Sequence, residues 1–73
     1  MYWDYDYEDF MWYLFDEEVD EFIAYIGDER DGSGTKSYYW IYKEENFGFG
    51  DYYTFDDAKD AVEAYLKEIG RIK

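Results

Sequence analysis

The sequence predicts an α+β fold. We expect a small single domain, residues 1–73, with an N-terminal acidic helix, a two-stranded antiparallel sheet and a C-terminal helix. The sheet gains a third strand if the first residues pair with it. Three observations predict this. Apolar residues recur at helical spacing in two separate segments. A run of aromatic and β-branched residues lies between them. Glycines and small polar residues punctuate the boundaries.

Trp3, Tyr5 and Tyr7 alternate with Asp4, Asp6 and Glu8. That period of two suits a short strand, and equally the lead-in to a helix. From Asp9 to Ile26 the period changes. Phe15, Val19, Phe22, Ile23 and Ile26 fall on one helical face, and Met11 and Trp12 extend it backwards. Gly27 is a plausible stop. In an alternative reading the helix breaks near Leu14–Phe15 and Asp16 caps a second one. Residues 27–36, with three glycines and no periodicity, read as a loop.

Ser37 to Lys43 reads as a strand, Glu44 to Asn46 as a turn, and Phe47 to Tyr53 as the return strand of a hairpin. Gly48 and Gly50 weaken that strand or mark a bulge. Thr54 to Ile69 is the clearest element. Thr54 is a good N-cap with Asp57 three residues on, and Asp56 and Asp57 sit at the positive end of the helix dipole. Ala58, Ala61, Val62, Tyr65, Leu66 and Ile69 form the buried stripe, and Gly70 closes the helix.

With no cysteine and no histidine, the chain has neither disulfides nor ordinary zinc ligands. It must rely on apolar burial, for which it has eleven Tyr, six Phe and three Trp. We expect Phe15, Phe22, Trp40 and Phe55 in the core. Twenty aromatics exceed what one small core hides, so Tyr2, Trp3, Tyr5, Tyr7, Tyr13, Tyr25, Tyr39 and Tyr53 are the surface candidates.

The formal net charge is −13, and it is unevenly placed. Asp4, Asp6, Glu8, Asp9, Asp16, Glu17, Glu18, Asp20, Glu21, Asp28, Glu29 and Asp31 face a single base, Arg30. From Gly32 onward eight acids meet six bases. On the expected N-terminal helix, the pairs Asp16–Asp20 and Glu17–Glu21 at i, i+4, and Glu17–Asp20 and Glu18–Glu21 at i, i+3, are all of like charge. Each costs roughly 0.2–0.5 kcal/mol. The C-terminal helix instead carries the opposite-charge pairs Lys59–Glu63 and Glu63–Lys67. Such an asymmetry works against folding and points to a basic partner. A helix from Glu8 to Glu21 would carry seven carboxylates over about 20 Å. That is one per ~3 Å, near the ~3.4 Å per phosphate of a DNA strand. Tyrosines between the acids suit an arginine-rich surface, stacking on guanidinium groups that the carboxylates pair. Solubility alone is the competing explanation of the charge.

The expected partner-binding residues are therefore the twelve carboxylates together with Tyr5, Tyr13 and Tyr25. No Ser-His or Cys-His relay can be built, and so short a chain hardly encloses a pocket, so we expect no enzyme. No metal or cofactor is expected either. Asp28 to Gly34 has the look of a calcium loop but fails the EF-hand spacing. Direct nucleic-acid binding and attachment to anionic lipid are opposed by the charge. No stretch reaches the length of a membrane span and no signal peptide is present, so a cytoplasmic location is expected, with the chain a monomer or weak dimer.

In size, acidity, aromatic content and expected helix–hairpin–helix order, the whole chain resembles the small inhibitors that phages and mobile elements aim at host defence. These are the anti-restriction DNA mimics and acidic anti-CRISPR proteins. The resemblance is one of character, with no motif matched residue by residue. It implies a stoichiometric inhibitor of a nucleic-acid-binding host defence complex, most of all a CRISPR effector, whose acidic surface blocks a basic DNA-binding groove. Two alternatives stand beside it: an antitoxin or immunity-type inhibitor of a basic nuclease, and a small acidic interaction or structural protein.

Overall fold

The structure, a computed structural model, describes residues 1–30 and 32–71. Five strands, β1 (Tyr2–Asp6), β2 (Met11–Asp16), β3 (Glu21–Arg30), β4 (Lys36–Tyr42) and β5 (Phe47–Tyr52), are followed by one helix, α1 (Phe55–Glu68). The strands pair in chain order as an antiparallel meander. The fold is mostly β, which corrects the expected α+β arrangement. There is no N-terminal acidic helix, and the sheet has five strands rather than two or three.

The segment expected to be helical is a hairpin, β2–β3, and its bulge explains the misleading period. Leu14 pairs with Ala24 and Phe15 with Phe22, so Ile23 is the extra residue. The bulge lets two consecutive residues, Ile23 and Ala24, join the core, with Ile26 beyond them. A strand containing a bulge thus mimics the i, i+1, i+3 spacing of a helical face. The residues around it, Met11 to Phe15, have the aromatic composition of a strand.

Three turns share one construction. Each spans four residues, 7–10, 17–20 and 43–46, and each ends in a left-handed residue: Phe10 (φ 56°), Asp20 (φ 54°) and Asn46 (φ 51°). Asp6 and Asp16 begin the first two. Asp6 Oδ1 accepts from the amides of Glu8 (2.8 Å) and Asp9 (3.3 Å), and Asp16 Oδ1 from that of Glu18 (3.0 Å). Asp16 therefore shapes a turn rather than capping a helix. Gly27 continues β3, which runs on to Arg30 through the first part of the expected loop.

The C-terminal half follows expectation closely. The β4–β5 hairpin and α1 lie within a residue or two of the anticipated bounds. Thr54 Oγ1 accepts from the Asp57 amide at 3.1 Å. At the other end Gly70 takes φ 84°, its amide donates to Lys67 O, and the Arg71 amide donates to Leu66 O at 2.8 Å. This is the Schellman closure that a glycine permits.

Helix α1 crosses β3, β4 and β5 on one face of the sheet, burying Ala58, Val62 and Leu66 at i, i+4, i+8. They meet Leu14, Ala24, Ile26, Trp40 and Tyr42. The helix does not reach over β1 and β2. There Trp3 and Trp12 close the same face with their rings, Trp3 meeting Phe55 edge-on at 6.2 Å and Trp12 meeting it tilted at 4.8 Å between centroids. Trp40 is the buried centre, and its indole N–H donates to Tyr52 Oη at 3.1 Å. Of the expected core residues, Trp40 is buried and Phe55 packs against the core. Phe15 and Phe22 do not belong to it: they lie half-buried on the sheet's other face.

Candidate partner-binding face

In an antiparallel sheet, directly opposed residues project to the same side. The register therefore lays out the face that α1 leaves open. One row crosses it as Tyr2, Phe15 and Phe22, the next as Asp4, Tyr13, Tyr25, Ile41 and Gly48. Further along lie Asp6 opposite Met11, Gly27 opposite Tyr39, and Glu29 opposite Ser37. The rings touch one another: Tyr2 stacks on Phe15 at 5.4 Å, and Tyr13 meets Phe22 at 4.9 Å and Tyr25 at 6.0 Å. Tyr13, Phe15, Phe22, Tyr25 and Tyr39 are all half-buried by these mutual contacts. A ring column on β2 and β3 thus lies beside a carboxylate column on β1.

Two cation–ring and acid–ring contacts describe the chemistry of this face. The Lys43 ammonium sits over the Phe22 ring, 4.4 Å from its centroid. Tyr13 Oη donates to Asp9 Oδ2 at 3.1 Å. Burial among the neighbouring rings, and then that bond, raises the Tyr13 phenol above its ordinary value. Burial likewise raises Tyr39, helped by the nearby Tyr25 and Glu29. A shallow groove of about 450 Å³, lined by Asp4, Asp6, Tyr13 and Phe15 among others, runs along the β1 margin.

The expected partner-binding carboxylates are not one array. Glu8 and Asp9 sit in the β1–β2 turn at one end of the sheet. Glu17, Glu18 and Asp20 form the β2–β3 turn at the opposite end, with Glu21 opening β3 and Asp16 closing β2 beside it. Six residues of β2 at ~3.3 Å each separate the two ends by about 20 Å. Asp28 belongs to the helix side, opposite Tyr38, where it pairs with Lys36 at 3.3 Å. Asp31 lies outside the described residues. None of the like-charge helical pairs exists, so their folding cost does not arise.

The carboxylates also divide by employment. Asp6 and Asp16 hold turns, Asp9 holds Tyr13, Asp28 holds Lys36, and Glu17 pairs with the N-terminal ammonium at 3.1 Å. Asp16 also takes Arg71 at 3.4 Å. Among the described residues, Asp4, Glu8, Glu18, Asp20, Glu21 and Glu29 make no side-chain hydrogen bond or ion pair.

Tyr13 and Tyr25 lie on the open face. Tyr5 does not join them. It opposes Trp12 on the helix side, 5.0 Å from that ring. Trp3, expected at the surface, also packs there, whereas Tyr2, Tyr7 and Tyr53 are exposed. Phe15 and Phe22, expected in the core, belong to this face instead. The signal that distinguishes them is their pairing with Tyr2 and Tyr13 neighbours once a hairpin is assumed.

Among the described residues, no helix is long and apolar enough to cross a membrane. Among the described residues, no group of three or more carboxylates is placed to hold a metal ion. Comparison with family models, curated proteins and solved structures finds no match.

Proposed function

We propose that the protein is a stoichiometric inhibitor that binds a basic, nucleic-acid-binding protein and keeps nucleic acid from it, with a host defence complex of the CRISPR effector type as the first candidate. One observation carries this reading. Asp4 and Glu29, without internal partners, lie on an aromatic sheet face that no described element covers, and Glu8, Glu18 and Asp20, equally unpaired among the described residues, stand in the turns at its two ends. Such a surface repels nucleic acid and attracts the arginines and lysines that bind it. Its acids stand in separated clusters, so the contact is not a strand surrogate with phosphate spacing. It is occlusion by a charged, ring-bearing surface.

The test is capture of partners from host lysate by the tagged protein, with parallel washes in excess duplex DNA and in high salt. Recovery of a nucleic-acid-binding protein that DNA releases supports occlusion. A partner that stays bound through both washes, or none, overturns it.

A further inference from the structure

We propose that the open face of the sheet binds an arginine-bearing segment of the partner, its guanidinium groups stacked on Tyr13 and Tyr25 and paired with Asp4 and Asp6. The inference rests on the proposed function only for the basic character of the partner. The geometry of the face is independent of it.

The register puts Asp4, Tyr13 and Tyr25 in one row across three neighbouring strands. Adjacent strands lie about 4.8 Å apart, so a planar cation resting on the Tyr13 ring is within reach of a β1 carboxylate. Among the described residues, Asp4 has no internal partner. Asp6 gives only Oδ1 to its turn, which leaves Oδ2 to accept. The face already seats a cation of its own, since the Lys43 ammonium stands 4.4 Å from the Phe22 ring centre. One ring of this column, Phe22, thus already offers its π-face to positive charge. Arginine fits the remaining rings better than lysine. Its flat guanidinium stacks while forking to a carboxylate, whereas an ammonium is a hydrated point charge.

Two other occupants fit less well. Aromatic rings on an open sheet are a platform for the bases of single-stranded RNA. Here the strand beside the rings carries carboxylates where such a platform needs bases for the phosphates. A second copy would bring the same carboxylates and thirteen further net negative charges against this margin.

The experiment uses the whole chain with two probes, an acetylated oligoarginine peptide and an oligolysine peptide of equal length, with single-stranded RNA alongside. Aromatic NMR signals locate the contact and titration gives the affinity. We expect oligoarginine to bind about fivefold or more tighter than oligolysine. The Tyr13 and Tyr25 ring signals should move. Tyr13→Leu with Tyr25→Leu should bring the two peptides to equal affinity. If that pair disturbs the fold, Asp4→Asn is the second variant, expected to weaken oligoarginine binding severalfold. Equal affinities with shifts confined to the turns at the sheet ends would overturn the proposal, as would RNA binding or self-association through this face. Those results would leave DNA-releasable capture of a partner untouched. Conversely, an arginine-selective face with no DNA-releasable partner would support this inference and remove the inhibitory reading.

Discussion

The Tyr39 ring occupies the space over Gly27, its partner across β3 and β4. A Cβ built on Gly27 would stand 2.5 Å from Tyr39 Cζ and Oη. The ring covers backbone that a side chain would otherwise cover, and so extends the aromatic surface of the open face by one strand. Gly27→Ala should cost about 1–2 kcal/mol, because the ring must swing away. Ordinarily, alanine is preferred to glycine in a strand by about 0.5–1 kcal/mol. In a Tyr39→Ala background the same change should therefore turn neutral or stabilising. Denaturant midpoints for the four proteins of this cycle check the coupling, and an unchanged cost in both backgrounds would remove it.

Gly48 is constrained differently. Its Cβ would lie 1.8 Å from the Trp40 carbonyl oxygen, a backbone atom. Trp40 cannot yield, being buried at 2 % exposure with its indole bonded to Tyr52. Gly48→Ala should lose roughly 3 kcal/mol or more, a large share of the ~5 kcal/mol available to a domain of this size. Near-complete loss of cooperative thermal unfolding is the expected result. The matched change at Gly50, where the nearest atom stands at 3.5 Å, should be mild.

The contrast between the two halves of the chain shows what the sequence made legible. Helix α1 declared itself because every local signal agreed: the Thr54 cap, the spacing of Ala58, Val62 and Leu66, and the Gly70 closure. Residues 9–26 misled because a strand bulge at Ile23 copies helical spacing. Its turns also lack glycine and proline. Phe10 and Asp20 take positive φ instead, and the only local sign is an aspartate, Asp6 or Asp16, that holds the turn amides. Two such aspartates ten residues apart, with two acids in the first turn and three in the second, look in the sequence like partner-seeking charge. Asp6 and Asp16 are thus turn chemistry, and Asp9, Glu17 and Asp28 are held by internal partners. Patterning puts Tyr13 and Tyr25 at the surface, whereas they are half-buried among neighbouring rings, and the face that joins them is visible only in the register of β1 to β3.

Tyrosine ionisation should limit the fold at high pH. Burial first, and then its bond to Glu44 at 2.7 Å, push the Tyr42 phenol from 10.0 up to about 12. Its folded value lies above its unfolded one, so its contribution is complete below about pH 10. That contribution is lost as pH rises through about 12, because the unfolded chain releases the proton first. Tyr13, Tyr39 and Tyr65 are raised in the same direction. Denaturant midpoints should fall across this window in step with tyrosinate absorbance. In Tyr42→Phe the fall should be shallower.

The acids should separate into two classes on substitution. Asp6→Ala and Asp16→Ala remove acceptors from turn amides, and Asp16 also releases Arg71. Each should cost about 1 kcal/mol. Glu8→Lys and Glu18→Lys remove charges that make no internal bond, in turns crowded with like charge. Each should leave stability unchanged or raise it by up to ~0.5 kcal/mol, and the gain from added salt should shrink accordingly. Denaturant midpoints at low and high salt test both halves. The same two lysine variants report on binding, because they stand at opposite ends of the sheet. If the partner spans the whole face, both should weaken DNA-releasable capture and slow association most at low salt. If only one does, the partner covers that end alone. If neither does while Asp4→Asn does, the contact is confined to the middle of the face, where carboxylate and rings stand in one row.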